Sequence, residues 1–328
     1  MEYLSKYIIT IISILHLTGC DNEKGHDMQD ITLSFSCIKE TDHLPPLDPQ
    51  AEIWFSLARS MQKAAGEKNF DVIANLYRQA TEKDHYKAMI NLQNILSRRL
   101  ATPVKGKSPQ EEVIAITERM MQINIPAGYY LMGHYLEIGY GVKRDKTAAL
   151  AYFRKAADLG NPEAQNYLGQ LFLTEQFEDY TEPKTLRVHF KKNPVFNPKV
   201  GEAMLDCSIN QGNGDAAYKL AIWFSVLKYD YPNGLHYYQQ GVKNGSVLSA
   251  LTLKSTFNAP KSNNRGTYLG VEKDPERVRR YSLIEKEIDR NPSARFPDID
   301  KIVPLPPEKL PDWDGTFEYK KVSQEGKS

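Results

Sequence analysis

Residues 128–164, GYYLMGHYLEIGYGVKRDKTAALAYFRKAADLGNPEA, constrain the fold more than any other stretch. Gly128, Leu131, Met132, Gly133, Tyr135 and Leu136 recur at helical spacing and give one small, apolar face. Gly139-Tyr140-Gly141-Val142 then breaks the helix, because paired glycines adopt turn conformations that other residues resist. Asp145 predicts an N-cap, since its carboxylate can accept the N–H groups left over at a helix start. Ala149, Tyr152, Phe153, Ala156 and Ala157 form a second apolar face. Gly160 predicts a stop, and Pro162 the start of the next helix. The stretch is one helix–turn–helix unit. Its small residues let helices cross closely, and its aromatics fill the gap between neighbouring pairs.

Worn copies flank it. A first pair spans about 50–65 and 69–83, with Asn69 standing for Asp145 and Leu76-Tyr77 for Tyr152-Phe153. A second spans about 86–99 and 109–122, where Pro109 opens a helix at the one position that tolerates its missing N–H. A fourth unit starts at Ala164. The spacing then slips: Ala164 to its equivalent Ala216 is 52 positions, against 36 from Gly128 to Ala164. The extra residues, about 174–198, lack the glycine turn. Insertions in stacked repeats map to loops on one face, often the binding face; a loop of no consequence is the alternative. A fifth unit carries Asp230, Tyr237-Tyr238 and Gly245 at the marked positions, and a sixth runs from near Ser249 through Asp274 and Tyr281.

These residues at this spacing resemble the Sel-one-like repeat family, a relative of tetratricopeptide repeats. The family pattern falls on Gly128, Met132-Gly133, Gly139-Tyr140-Gly141-Val142, Asp145, Ala149, Tyr152-Phe153, Ala156-Ala157 and Gly160, with Met132 where the family has leucine. The resemblance implies an all-α, right-handed superhelical solenoid of about six helix–turn–helix repeats over residues 51–290. Residues 291–328 differ. Prolines at 292, 297, 304, 306, 307 and 311 exclude a continuous helix, while Phe296, Ile299, Ile302, Trp313, Phe317 and Tyr319 are too apolar for a solvent tail. They predict an extended cap packed on the solenoid or folded back along its groove.

Residues 1–20 read as a secretory signal. Lys6 precedes an apolar run, Tyr7 to Leu17, that is shorter than the ~20 residues of a membrane span. Leu17-Thr18-Gly19-Cys20 resembles a bacterial lipobox, which implies that Cys20 is acylated and becomes the mature N-terminus. An uncleaved short anchor is the alternative. Asp21 resembles the inner-membrane retention signal of enteric-type lipoproteins, with the outer membrane left open. The implied place is the periplasmic face of a bacterial envelope. Residues 21–50 predict a polar tether in which Ile31, Leu33 and Phe35 alternate as in a short strand.

The chain carries 42 basic and 41 acidic residues, so no bulk attraction draws it to nucleic acid. No two histidines share a metal-like spacing and no phosphate loop or nucleophile elbow is present. Ser60 to Lys63 and Ser225 to Lys228 match Ser-x-x-Lys inside predicted helices, a pattern short enough to arise by chance. The chain is read as a non-enzyme without cofactor or metal. Cys37 and Cys207 remain once Cys20 is set aside. An oxidising compartment permits a disulfide between them, but sequence does not place them within bonding distance.

What remains is surface. A helix-pair solenoid presents a long groove lined by one helix of each pair. Here the first helices carry Tyr129, Tyr130, His134 and Glu137, then Asn166 and Gln170, then Tyr218 and Trp223; the insertion adds Tyr180 and Phe190. Tyrosine and tryptophan anchor interfaces because they bury much area with few rotatable bonds. Packing between repeats is the competing role, and Tyr135, Tyr152, Phe153, Tyr237 and Tyr238 are assigned to it. The layout resembles immunity proteins of type VI secretion phospholipase effectors. That implies a monomeric, lipid-anchored protein whose partner is a phospholipase toxin. An envelope scaffold or regulatory adaptor would use the same groove and anchor. An enzyme acting on cell-wall sugars or lipid lacks a catalytic constellation here.

Overall fold

A computed structural model describes residues 34–178, 190–258 and 261–319. Six helix pairs follow one another: α1 (Pro49–Lys63) with α2 (Phe70–Thr81), α3 (Tyr86–Ser97) with α4 (Pro109–Gln122), and α5 (Pro126–Ile138) with α6 (Lys146–Asp158). Then come α7 (Pro162–Leu173) with α8 (Pro198–Asn210), α9 (Gly214–Ile222) with α10 (Tyr231–Lys243), and α11 (Val247–Phe257) with α12 (Pro275–Arg290). Each helix packs on the next, so the pairs stack into a solenoid.

Local chemistry sets the helix ends. The side chains of Asn69, Asp145, Asn161, Asn213 and Asp230 each accept a backbone N–H of the following first turn. Ser108 and Glu111 close a reciprocal capping box on α4. The turns between pairs need a left-handed residue, supplied by Gly160, Gly212 and Gly245 and, in the first units, by Asp84 and Asn124. Small residues also set the crossing of α5 on α6. A Cβ on Gly133 would lie 2.6 Å from the Phe153 ring, which is fully buried.

The insertion departs from all-α. Among the described residues it forms one small hairpin, β1 (Gln176–Glu178) paired antiparallel with β2 (Phe190–Lys192). Asn193 pins the base of the hairpin. Its side chain donates to the carbonyls of Leu171 (2.8 Å) and Thr174 (2.7 Å) and accepts from the Val195 N–H (3.1 Å). It thereby adds a second donor to the Leu171 carbonyl, which also accepts the Thr174 N–H, and supplies one to the Thr174 carbonyl past the helix end.

Residues 34–48 are not the free tether that their polarity suggests. They form a strap along the edge made by the turns between pairs. Gln165 donates to the Ile38 carbonyl (3.0 Å), the Glu40 N–H donates to the Gln211 side chain (2.8 Å), and Asn161 donates to the Glu40 carboxylate (2.8 Å). Gly160 gives the strap room, because a Cβ there would sit 2.5 Å from the Glu40 nitrogen. Asp48 ends the strap by capping α1 and pairing with Lys83 at 3.0 Å. Cys37 and Cys207 form a disulfide that ties the strap to α8. Phe35 packs on the core of α6, α7 and α8 rather than in a strand, and Ile31 and Leu33 lie outside the described residues.

Residues 291–319 cap the last two pairs and do not fold back along the groove. Each proline removes a backbone donor, so the segment pairs with itself only in short turns and several of its carbonyls need donors from elsewhere. Two buried arginines of α12 supply them. Arg277 donates to Pro304 (2.9 Å) and Glu308 (2.6 Å), and Arg280 donates to Ile302 (2.6 Å) and Pro311 (2.7 Å). One short helix, α13 (Ile299–Ile302), interrupts the extended path. Phe296, Ile299, Ile302, Val303 and Phe317 join one core with Tyr238, Phe257 and Tyr281.

Candidate functional site

The first helices of successive pairs are joined by polar contacts. Glu52 of α1 meets His85, the N-cap of α3, at 3.0 Å. Because His85 Nδ1 accepts the Ala88 N–H, its proton sits on Nε2 and is donated to Glu52. The Tyr135 hydroxyl of α5 donates to Gln93 of α3 (3.0 Å), and the Tyr167 hydroxyl of α7 donates to Glu137 of α5 (2.7 Å). Asn166 of α7 donates to Asp215 and accepts from Lys219 of α9, both at 3.0 Å. One face of the solenoid is thus a wall of first helices stitched side by side.

Two places on this wall gather the sequence-predicted residues. In the first, His134 sits edge-on among the rings of Tyr130 (4.6 Å), Phe153 (4.9 Å) and Tyr167 (5.8 Å). Its Nδ1 lies 3.5 Å from the Glu137 carboxylate. Burial holds the His134 pKa below its ordinary value, with Glu137 partly offsetting this. Burial pushes Tyr130 up to about 12, helped by Glu163 and Glu137. Glu137, Leu150, Phe153, Tyr167, Leu171 and Val195 line a pocket of about 350 Å³ here. Tyr129 stands aside, stacked on Tyr152 and bonded to the Met121 carbonyl at 3.3 Å.

His134 gives this place a pH signature. Its pKa is lower folded than unfolded, so the neutral ring suits the fold. Its contribution is whole above its ordinary pKa of 6.5 and shrinks as pH falls below that, where the unfolded chain takes the proton more readily. Glu40 and Asp206, whose carboxyls are raised chiefly by burial, act in the opposite sense at lower pH. The measurement is therefore a difference. His134→Phe is expected to flatten the melting-temperature profile between roughly pH 7 and 5 relative to the parent chain. Superimposable profiles would refute the assignment.

The second place is a trough of about 630 Å³ between the end of α7, the end of α9 and the base of the hairpin. Helix α9 runs into a single π-turn, Trp223–Leu227. Trp223, expected as an open groove anchor, is only 6 % exposed. Its indole N–H donates to Glu202 (2.7 Å), and the Lys228 ammonium lies 4.7 Å above its ring. It forms the floor, with Leu173, Phe196 and Ile222, while Gln170 is exposed at the rim. Asn166 is buried between α7 and α9, and Tyr218 packs on Tyr238. Both hold pairs together. Phe190 is 61 % exposed on β2. Cys20 and Tyr180 lie outside the described residues. No group of three or more His, Cys, Asp or Glu among the described residues is placed to hold a metal ion.

Sequence reading misses one residue of these places and misplaces another. Tyr167 occupies the repeat position of Leu131, a core position in the central unit, yet its hydroxyl reaches Glu137. Trp223 lies seven residues beyond Ala216, as Tyr135 lies seven beyond Gly128. That equivalence is the signal that assigns Trp223 to packing.

The Sel1 repeat profile matches residues 126–161 and 214–246, which cover α5–α6 and α9–α10. The immunity protein Pa5087 from Pseudomonas aeruginosa superposes with a TM-score of 0.63 at 31% identity, covering 84% of this chain and 96% of that one. The chain belongs to the Sel1-repeat family of Pa5087. The Sel1-repeat chain is also similar to PA5086 of Pseudomonas aeruginosa, with 30% identity, coverage of 84% and 96%, and a TM-score of 0.62. The immunity protein PA5088 from the same organism gives 28%, 83% and 94%, and 0.65. Comparison with curated proteins finds no match. A second profile, Domain of unknown function (DUF6396), matches residues 249–328. It joins the sixth helix pair and the proline-rich cap into one unit of this Sel1-repeat protein, as the Arg277 and Arg280 contacts do physically.

Proposed function

We propose that this Sel1-repeat chain is an immunity protein, a lipid-anchored inhibitor that binds and neutralises a phospholipase effector of type VI secretion at the periplasmic face of the envelope. The observation that carries this reading is the similarity to Pa5087, named an immunity protein, along 96% of that protein. The stitched wall of first helices supports a binding role. Side chains held on packed helices lose little further freedom when a partner arrives. Neutralising an enzyme needs only occlusion of its active site or of its approach to lipid, which a broad rigid face can provide. The apolar run Tyr7 to Leu17 ahead of Cys20 supports the anchor, and each acyl CH₂ buried contributes ~0.8 kcal/mol. Asp21 favours the inner membrane.

The test is neutralisation. The full chain is co-expressed with periplasm-targeted phospholipase effectors of the source bacterium, and survival and phospholipid hydrolysis are read. Survival with one effector, with its hydrolysis suppressed by purified chain at one-to-one stoichiometry, is the expected result. Unchanged killing by every effector would overturn the reading.

A further inference from the structure

We propose that the edge made by the turns within pairs lies on an anionic phospholipid surface, with single apolar side chains in the headgroup layer and lysines and arginines at the phosphates. The inference needs no identity for the protein partner and stands apart from the immunity reading. Consecutive helices pack on each other and are joined by turns, so the turns alternate between two edges. The strap runs along one edge. On the other, neighbouring turns adjoin: Arg265 of the sixth turn lies 5.8 Å over the Tyr229 ring of the fifth. Ile138 (67 %), Phe190 (61 %), Leu227 (58 %) and Tyr229 (54 %) stand at the third, fourth and fifth of these turns. With Ile53 of α1 they are the most exposed large apolar side chains among the described residues. Leu100 and Val104 of the second turn are exposed as well.

The same edge is cationic. Residues 98–108 carry four cations and no acid. The described turns within pairs (64–69, 98–108, 139–145, 174–178 with 190–197, 228–230, and 261–274) hold thirteen cations and seven acids. Three of those acids, Asp145, Asp230 and Asp274, are committed as N-caps. The opposite edge has the reverse sign. The strap, residues 34–48, and the turns between pairs (82–85, 123–125, 159–161, 211–213 and 244–246) hold two cations and five acids. The whole chain is nearly neutral, so this difference is one of placement. Arg98, Arg99, Lys105, Lys107, Lys191 and Lys192 are exposed and enter no ion pair among the described residues.

The pattern favours lipid over protein. A protein interface gathers apolar residues into one core from which lysine is depleted. Here the apolar tips stand on separate turns, with lysines between them. A lipid surface accepts that arrangement, because each tip enters the headgroup layer singly while long cationic side chains reach the phosphates. An anchor at Cys20 permits the pose. The fourteen residues from Cys20 to Ser34 can reach about 46 Å, whereas a helix of thirteen residues such as α6 is about 20 Å long.

The test is sedimentation of the full chain, carrying Cys20→Ser so that no acyl chain contributes, with vesicles of phosphatidylcholine alone or mixed with phosphatidylglycerol. The apolar run Tyr7 to Leu17 is kept in every variant and cancels. The parent is expected to bind the anionic vesicles about tenfold more tightly than the neutral ones. Lys107→Glu with Lys191→Glu is expected to lose about tenfold on the anionic vesicles, and Ile138→Ser with Leu227→Ser about fivefold, each with an unchanged circular-dichroism melt. Lys155→Glu with Lys286→Glu makes the same charge change toward the far ends of α6 and α12 and is expected to leave binding unchanged. Equal binding to both vesicles, or equal losses from the two charge-reversed variants, would overturn the proposal. Charge-dependent capture of soluble polyglutamate without binding to anionic vesicles would overturn it too, and assign the edge to an acidic protein.

Discussion

Replacing Trp223 by alanine is expected to lower the unfolding free energy by about 3–5 kcal/mol, the range for truncating a buried aromatic. The ring packs with Leu173, Leu205, Ile209 and Leu220, so its loss opens a cavity where α7, α8 and α9 meet. Glu202 also loses the indole donor that it holds at 2.7 Å. Trp223→Phe separates the two effects. It keeps most of the ring and deletes the N–H, and is expected to cost nearer ~1–2 kcal/mol. Chemical denaturation followed by circular dichroism checks both. An alanine variant as stable as the parent would mean that the floor is not packed as described. A lost interaction in Trp223→Ala is for the same reason ambiguous between binding and folding.

The second large effect is expected from Cys37→Ala with Cys207→Ala. The bond joins positions 170 residues apart, and closing so long a loop removes much freedom from the unfolded chain. Losing it is expected to cost about 2–4 kcal/mol. The strap would then be held by Gln165, Asn161 and Gln211, by Arg154 on the Ser34 carbonyl, by Phe35 and by the Asp48–Lys83 pair. The double variant should therefore melt at lower temperature and become open to limited proteolysis between residues 34 and 48. Melting and cleavage indistinguishable from the oxidised parent would show that the strap is held by its hydrogen bonds. Reducing agent should reproduce the variant in the parent chain and leave the variant unaffected, which ties any change to this bond.

The helix pairs were legible because each is written locally. A cap such as Asp145 or Asn213, an apolar stripe and a left-handed stop such as Gly160 are all read within one unit. The wall of first helices follows from stacking those units. What escaped is long-range. The strap has no periodicity because its partners are turns of separate repeats, and nothing near Glu40 in sequence points to Asn161 or Gln211. The cap on α12 depends on Arg277 and Arg280, which look like an ordinary charged helix face until proline-rich carbonyls are placed over them. At the candidate site, Tyr130, His134 and Glu137 were legible from their shared face. The trough was not, because the insertion that walls it interrupts the repeat spacing, and its hairpin pairing involves residues 176 and 192 that have no counterpart in other units.

A pull on the N-terminus would not reach this solenoid at its first repeat. Tension passing Ser34 meets the disulfide at Cys37 and crosses directly into α8, in the middle of the array. Helices α1 to α7 then lie on a closed covalent loop outside the load path. They can be jostled by a surface or a bound partner without being unwound from their end. The disulfide meets α8 beside the start of α7, whereas the trough lies at the end of α7, so a chain held at its amino end would carry that trough at the edge away from its anchor.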